Sequence, residues 1–180
     1  LPDTLKIINS CAFADCKNLS GSLIIPEGVT EVKTGAFGYC AFNGTLSLPS
    51  TLKKLGNGFE SCWYYGPFDN CKFVCELILP ESLEFIGEAT FYNCTGFYGN
   101  LHLPDKLKKI ETRAFQNCKN MTGDIIIPQN ITIIPEYCFS GSGFNGNLQL
   151  HDGISAIEKF AFENVPLRGD LKLPKELNVI

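Results

Sequence analysis

Nine cysteines are the residues of this 180-residue chain with the widest choice of chemistry, since a thiolate can attack an electrophile, bind zinc or form a disulfide. Six of them lie three residues after a phenylalanine, and four of these recur in regular copies of a repeat: Cys16, Cys40, Cys94 and Cys118; the other two, Cys62 and Cys71, belong to two Phe-x-x-Cys copies in one irregular unit. Ser142 and Val165 stand at the same position in later copies, so a small or apolar side chain suffices there. We therefore predict a column of buried free thiols, with disulfides or a metal site as the alternatives.

Three further cysteines, Cys62, Cys71 and Cys75, cluster in one irregular part of the chain. A disulfide among them is an open alternative. Zinc is disfavoured, because no Cys-x-x-Cys pair and no nearby histidine completes a set of four ligands. The sequence thus predicts no metal and no other cofactor.

The remaining ionisable residues do not assemble a catalytic set. The two histidines, His102 and His151, occupy different positions of a repeat, and we expect both to face solvent. Four glutamates follow the same aliphatic position, as a solvated face would: Glu88, Glu111, Glu136 and Glu158. Because neither set pairs a base with a nucleophile or an acid, the sequence predicts a protein that is not an enzyme.

A repeat of 23 or 24 residues organises the whole chain. The prolines that end the pattern Gly-x-Leu-x-Leu-Pro mark it: Pro2, Pro26, Pro49, Pro80, Pro104, Pro128 and Pro174, with His151 at the missing position. Each unit of such an array packs only on its neighbours, so residues 1–180 form one domain of about 7.5 units. The chain begins and ends within a repeat and shows no polar cap, so we expect a fragment of a longer array.

Two extended segments are predicted in each unit. Between glycine and proline, residues 46–48 and their equivalents alternate between inward leucine and an outward side chain, which indicates a short strand. A second segment contains aliphatic residues three and six positions after the proline. Stacked units would form a parallel strand ladder with a phenylalanine-filled core and little helix, because no stretch keeps a 3.6-residue apolar period.

The unit Leu-Pro-x-x-Leu-x-x-Ile-x-x-x-Ala-Phe-x-x-Cys, complete at residues 103–118, resembles the BspA-type leucine-rich repeat. The linker Gly-Phe-x-Gly-Asn-Leu at 96–101 and 143–148 is similar to the protozoan variety of this family. The resemblance implies a curved β-rich solenoid in a bacterial or protozoan surface protein. Its implied function is adhesion through binding of other proteins or host matrix, with no catalytic residues to carry over.

Charge and hydropathy exclude two classes of partner. The net charge is −4 and both signs are scattered, which argues against nucleic acid and other polyanions. No apolar run approaches the roughly 20 residues that span a bilayer, so we expect no direct membrane insertion in this segment. Proteins remain as the expected partners, either host matrix or surface proteins or neighbouring subunits.

Two candidate binding surfaces follow from the repeat. The first is the outward column of the strands: Ile24, Ser47, Ile78, His102, Ile126, Gln149 and Lys172. The second is the irregular unit with its insertion at 56–68, where Trp63, Tyr64 and Tyr65 have the composition of an interface anchor. The alternative for these aromatic residues is that they fold back over the core as a local patch.

Asn-x-Ser/Thr sequons suggest a cellular location. Candidate N-glycosylation sites are Asn18, Asn43, Asn120 and Asn130, while a fifth at Asn93 lies beside a core cysteine. Such sequons are compatible with a secreted or cell-surface protein, although turns rich in Asn, Ser and Thr also generate them by chance. A cytoplasmic scaffold or assembly module is the alternative, because free thiols suit a reducing compartment.

Overall fold

The structure is a computed structural model that describes residues 1–56 and 66–180. Its strands are all two residues long and pair in parallel with a strand of the neighbouring coil, which makes a β-solenoid. Within the described ranges no residue is helical, and no helix could therefore cross a membrane. The predicted parallel solenoid with little helix is confirmed.

The strands described in the two ranges fall into two series along the coils. At the second aliphatic position lie β1 (Ile7–Ile8), β3 (Glu31–Val32), β5 (Lys54–Leu55), β6 (Phe85–Ile86), β8 (Lys109–Ile110), β11 (Ile133–Ile134) and β13 (Ala156–Ile157). At or near the Leu-x-Leu segment lie β2 (Leu23–Ile24), β4 (Leu46–Ser47), β7 (Gly99–Asn100), β9 (Met121–Thr122), β10 (Ile125–Ile126) and β12 (Leu148–Gln149).

The first series, here called the isoleucine ladder, has its second residue in the core in every coil. Strands β1, β3, β5, β6 and β8 form one five-stranded sheet in register, so that Leu55 faces Ile86 and Ile86 faces Ile110. These three side chains are buried, while the residue before each of them is exposed or half-buried. The alternation follows from the two-residue period of a strand and confirms the second extended segment.

A third inter-coil connection, which the sequence did not predict, is the turn around each core phenylalanine, here called the phenylalanine turn. Residues two before and two after the ring have left-handed backbone, as at Ala89 (φ 49°) and Asn93 (φ 56°). As a result alternate N–H groups point along the stack, and Phe91 N donates to Ala114 O over 2.9 Å. The sequence does contain a signal for this turn, which is the asparagine or aspartate before many of the cysteines. Apart from glycine, these are the residues that best tolerate a left-handed backbone conformation.

Phenylalanine rings fill the core in a continuous column. Rings stack from coil to coil at centroid distances of 5.3 to 6.0 Å: Phe13, Phe37, Phe68, Phe91, Phe115, Phe139 and Phe162. A second, shorter column of Phe42, Phe73 and Phe97 packs edge-on against it. Apolar burial and ring geometry both contribute here, since offset and edge-on aromatic pairs add stability beyond the buried area.

The irregular unit keeps the register of the stack. Of its two Phe-x-x-Cys copies, Phe68 and Cys71 occupy the core positions, and the Phe68 ring lies 6.0 Å from Phe37 and 5.8 Å from Phe91. Extra residues therefore enter before Phe68, between Gly56 and Gly66. The predicted aromatic anchor Trp63, Tyr64 and Tyr65 lies outside the described residues and stays a prediction.

Candidate protein-binding face

The Leu-x-Leu segments present one outward column, here called the outer column. Its seven members are all exposed: Ile24, Ser47, Ile78, His102, Ile126, Gln149 and Lys172. The leucines and isoleucines on either side of the first six members are buried or half-buried, as Leu77 and Leu79 are beside Ile78, whereas Leu171 and Leu173 beside Lys172 are exposed. The predicted orientation of the column is confirmed, and its role in binding stays a prediction.

Three isoleucines in the outer column have more than half of their surface exposed to solvent. Ile78 is 74% exposed, Ile24 is 67% exposed and Ile126 is 55% exposed. Val74 and Tyr98, which flank the Ile78 coil, are also more than 45% exposed. Single exposed aliphatic residues are common, but a group of them on one face is typical of interaction surfaces.

Under the outer column, the described residues pair as strands only between the coils of Ile24 and Ser47 and between those of Ile126 and Gln149. Strand β2 pairs with β4, and β10 pairs with β12, whereas the described residues 77–79 and 101–103 belong to no strand. In the middle, Glu76 bridges Tyr98, and β7 pairs with β9 instead. The middle of the face is thus held by side-chain packing, by the isoleucine ladder and by the phenylalanine turn.

Polar side chains beside the outer column bond from coil to coil. Asp124 Oδ1 accepts from Asn147 N over 2.7 Å, and its other oxygen accepts from Gln149 Nε2 over 3.3 Å. Thr45 N and its hydroxyl both donate to Ser22 Oγ over 3.0 Å. These bonds fix the rim of the face without adding net positive charge.

The two histidines have different environments. His102 is exposed, as predicted, and lies 3.2 Å from Glu81 Oε1. His151 does not face solvent, so that prediction was wrong: its ring is half-buried, with Nε2 within 3.1 Å of Pro128 O and 2.9 Å of Ile131 O. Its Nδ1 accepts from Gly153 N, so the proton lies on Nε2 and bridges two coils where other units have proline.

The repeated cysteines are free thiols, as predicted, and each buried one has a specific partner. The Sγ of Cys40, Cys94 and Cys118 donates to the phenylalanine carbonyl of the preceding coil over 3.0 to 3.2 Å. Burial raises the pKa of Cys40 to about 11 and raises that of Cys94 well above its usual value. A thiol in this state is a poor nucleophile and a poor metal ligand, so the column is structural.

The cysteines of the irregular unit separate into two cases. Cys71 continues the thiol column, with its Sγ 3.2 Å from Phe37 O, and burial raises its pKa to about 12. Cys75 is also a free thiol and accepts from Leu46 N, so a disulfide between these two is excluded. Cys62 lies outside the described residues. Cys11, which the repeat did not single out, is disulfide-bonded.

The glutamates that follow the isoleucine ladder are engaged with neighbours. Glu111 pairs with Lys109 at 2.6 Å, Arg113 lies 3.5 Å from Glu88, and Glu158 Oε2 accepts from Glu136 N. Within residues 1–56 and 66–180, no three His, Cys, Asp or Glu side chains come close enough to hold a metal ion. The arrangement is that of a partly solvated surface with local ion pairs.

The sequon asparagines differ in the state of their amide nitrogens. All four candidates, Asn18, Asn43, Asn120 and Asn130, are exposed. Asn130 Nδ2 donates to Asp105 O over 2.9 Å, and the half-buried Asn93 donates to Asn70 over 3.1 Å. An amide nitrogen held in this way is less available for modification, whereas Asn18 and Asn120 make no such bond among the described residues.

Comparison with known proteins identifies the repeat. The BspA type leucine-rich repeat region matches residues 1–66 and 64–180, in six copies. A crystal structure of a leucine-rich repeat protein from Bacteroides ovatus aligns over 85% of this chain and 49% of that protein, with 19% identity and a TM-score of 0.41. This chain thus spans about half of that protein's length, and no curated protein matches it. Because the family region covers the chain from end to end, this protein belongs to the BspA-type leucine-rich repeat family.

Proposed function

We propose that this chain is a non-enzymatic protein-binding module of a cell-surface or secreted BspA-like protein, and that it mediates adhesion through the outer column. The observation that carries the proposal is the exposure of Ile24, Ile78 and Ile126 on one face of the solenoid. Side chains on a folded face are already ordered before a ligand binds, so binding costs them little conformational entropy. Burying the exposed isoleucines against a ligand would therefore contribute directly to the binding free energy.

The polar rim indicates the kind of ligand. The rim contains Asp124, Asn147 and Glu81, and the outer column ends at Lys172, so the surface has no cluster of positive charge. Such a rim suits a folded or extended protein surface, in particular host matrix or surface proteins, better than a polyanion. The protozoan origin that the linker at 96–101 indicates is part of the same proposal.

The test compares two double variants of matched chemistry. Ile78→Ser with Ile126→Ser removes apolar surface from the outer column, and Ile7→Ser with Ile133→Ser removes exposed isoleucines from the isoleucine ladder. Beads coated with each protein are scored for adhesion to immobilised matrix proteins and to host cells. We expect the first variant to lose at least about tenfold in bound beads and the second to bind normally. Equal adhesion by both variants would place the binding site elsewhere.

The aromatic insertion is the second contact that we propose. Trp63→Ala with Tyr64→Ala removes its anchor, and reduced adhesion with an unchanged denaturation midpoint would support a contact role. Unchanged adhesion would mean that these side chains serve the fold or nothing at all.

An intracellular scaffold is the alternative, and the free thiols favour it. Seven cysteines in the described part of the chain are unoxidised, which suits a reducing compartment. The disulfide at Cys11 favours an oxidising one. Thiol counting on protein isolated from its own cells, together with the glycosylation state of Asn18 and Asn120, separates the two: bare asparagines and nine free thiols would favour the scaffold.

A further inference from the structure

The charges beside the outer column have one sign along most of its length. Each coil presents three outward residues on this face: the outer-column residue, the residue two before it and the residue three after it. In the six coils from Ile24 to Gln149, none of these residues is a lysine or an arginine. Six of them are carboxylates, exposed or half-buried: Glu27, Glu76, Glu81, Asp105, Asp124 and Asp152. Lysines enter only in the seventh coil, at Lys172 and Lys175, so the face is acidic as well as apolar.

Measured contacts place carboxylates directly against the outer column. Glu81 Oε1 lies 3.2 Å from His102 Nε2, and Asp124 Oδ2 accepts from Gln149 Nε2 over 3.3 Å. Side chains two residues apart on extended backbone point the same way, so Asp124 also lies beside Ile126. Exposed isoleucine and carboxylate are therefore neighbours on this face.

Most of this acidic charge has no lysine or arginine within ion-pair distance. Of the six carboxylates, only Asp152 has such a partner in the part of the chain that the structure describes, Lys175 at 2.8 Å. On the isoleucine ladder, by contrast, both signs are paired, as between Lys108 and Glu84 at 2.6 Å. Neighbouring coils lie about 4.8 Å apart, within the Debye length of about 8 Å at physiological salt, so the carboxylates of successive coils act together on a charged partner.

A surface depression lies where the charge and the apolar surface meet. Its volume is about 460 Å³, and it opens between residues 100–102 and residues 123–126. Asn100, His102, Asp124 and Ile126 line it. Lysine and arginine side chains are apolar along the stem and charged only at the tip. Such a side chain would contact Ile126 with its stem and the Asp124 carboxylate with its charged group.

From these observations we infer that the outer column binds a protein segment that presents lysine or arginine next to aliphatic side chains on one face. Its aliphatic side chains cover the exposed isoleucines, while its basic ones face Glu81 and Asp124. Opposite charges across an interface speed encounter, and like charges select against a wrong partner, so acidic segments of equal apolar content are rejected. This inference rests on the proposed binding face and names the chemistry of its partner.

Three synthetic peptides test the inference by fluorescence anisotropy. The first, of about 13 residues, has valine and lysine in turn at odd positions and serine at even positions, so an extended chain at about 3.3 Å per residue presents both on one face. The second replaces lysine with glutamate, and the third replaces valine with serine. At about 20 mM salt we expect the first to bind at least about tenfold more tightly than either of the others, and at about 500 mM salt its advantage over the second should shrink. No measurable binding of the first peptide, or equal affinity for either of the others, would overturn the inference.

Two double variants with the same change in net charge locate the contact. Glu81→Gln with Asp124→Asn neutralises carboxylates at the outer column, and Glu84→Gln with Glu111→Gln neutralises as many on the isoleucine ladder. We expect the first pair to weaken binding of the valine–lysine peptide about tenfold and the second pair to leave it within about twofold. Equal weakening by both pairs would refute a contact at the outer column.

The apolar variant Ile78→Ser with Ile126→Ser separates this inference from the proposed function. If that variant loses bead adhesion while Glu81→Gln with Asp124→Asn adheres normally, the basic partner is refuted and the proposed function stands. If the apolar variant adheres normally, the proposed function is refuted. Peptide binding that still depends on Glu81 and Asp124 would in that case support the basic partner at the same face.

Discussion

Alkylation of the thiol column is the sharpest quantitative consequence of the fold. Iodoacetamide reacts with the thiolate, and burial raises the pKa from 9.0 to about 11 at Cys40 and to about 12 at Cys71. At pH 8 an unfolded thiol is about one tenth ionised, against roughly one part in 10³ for Cys40 and one in 10⁴ for Cys71. Ionisation alone should slow alkylation about 100-fold at Cys40 and about 1,000-fold at Cys71, and steric exclusion slows it further.

A pulse-labelling assay measures both rates in one sample. Native protein at pH 8 receives light iodoacetamide for increasing times, is then denatured in heavy reagent, and the isotope ratio of each cysteine peptide gives its rate. Cys16 is half-buried at the first coil and acts as the internal reference, so labelling should proceed in the order Cys16, Cys40, Cys71. Labelling of native Cys71 within about tenfold of the denatured rate would refute the assignment of this column to the dry core.

Three further predictions follow. The folded pKa values of Cys40 and Cys71 lie above the unfolded value of 9.0. The urea midpoint of unfolding should therefore be constant below pH 9 and fall as the pH rises towards 11 and 12, and a midpoint that rises there would contradict the expected direction of the change in stability. Phe91→Ala should lower the free energy of unfolding by about 3–5 kcal/mol in urea titrations, and the half-buried Phe13→Ala by clearly less; equal losses would mean that the ring column does not carry the core. Cys118→Val removes the donor to Phe91 O and should cost about 1 kcal/mol more than Cys118→Ser in the same titrations, so a more stable valine variant would rule out a structural role for the thiol bond.

Burial and orientation were predictable from the sequence because they follow from periodicity. A period of two at residues 46–48 places the leucines inward and Ser47 outward whatever the partner strand does. The phenylalanine column was equally predictable, since a residue that recurs once per coil must stack on its own copies. The thiol column followed from Ser142 at the same position, which pointed to a packing role rather than a reactive one.

Backbone features that depend on single residues were not predictable in this way. The left-handed residues at Arg113 and Tyr137 carry side chains that give no sign of that conformation, and only their place in the coil explains it. The burial of His151 was not predictable because the two carbonyl partners of its Nε2, Pro128 O and Ile131 O, come from the preceding coil. The end of the five-stranded sheet at β8 was not predictable either, because it follows from the loss of one bond: Pro135 has no N–H to donate to Ile110 O in the preceding coil.

The bond from Cys40, Cys71, Cys94 and Cys118 to the phenylalanine carbonyl of the preceding coil has an evolutionary consequence. Cys94 reaches back to Phe68, and Cys118 to Phe91, through the same pair of atoms, so each coil with a cysteine at this position presents the same donor on one side and the same acceptor on the other. A whole coil gained by gene duplication, or lost by recombination, leaves matching surfaces on both sides of the cut. Array length can therefore change by whole units without any new interface having to be selected, while the residues of the outer column diverge independently.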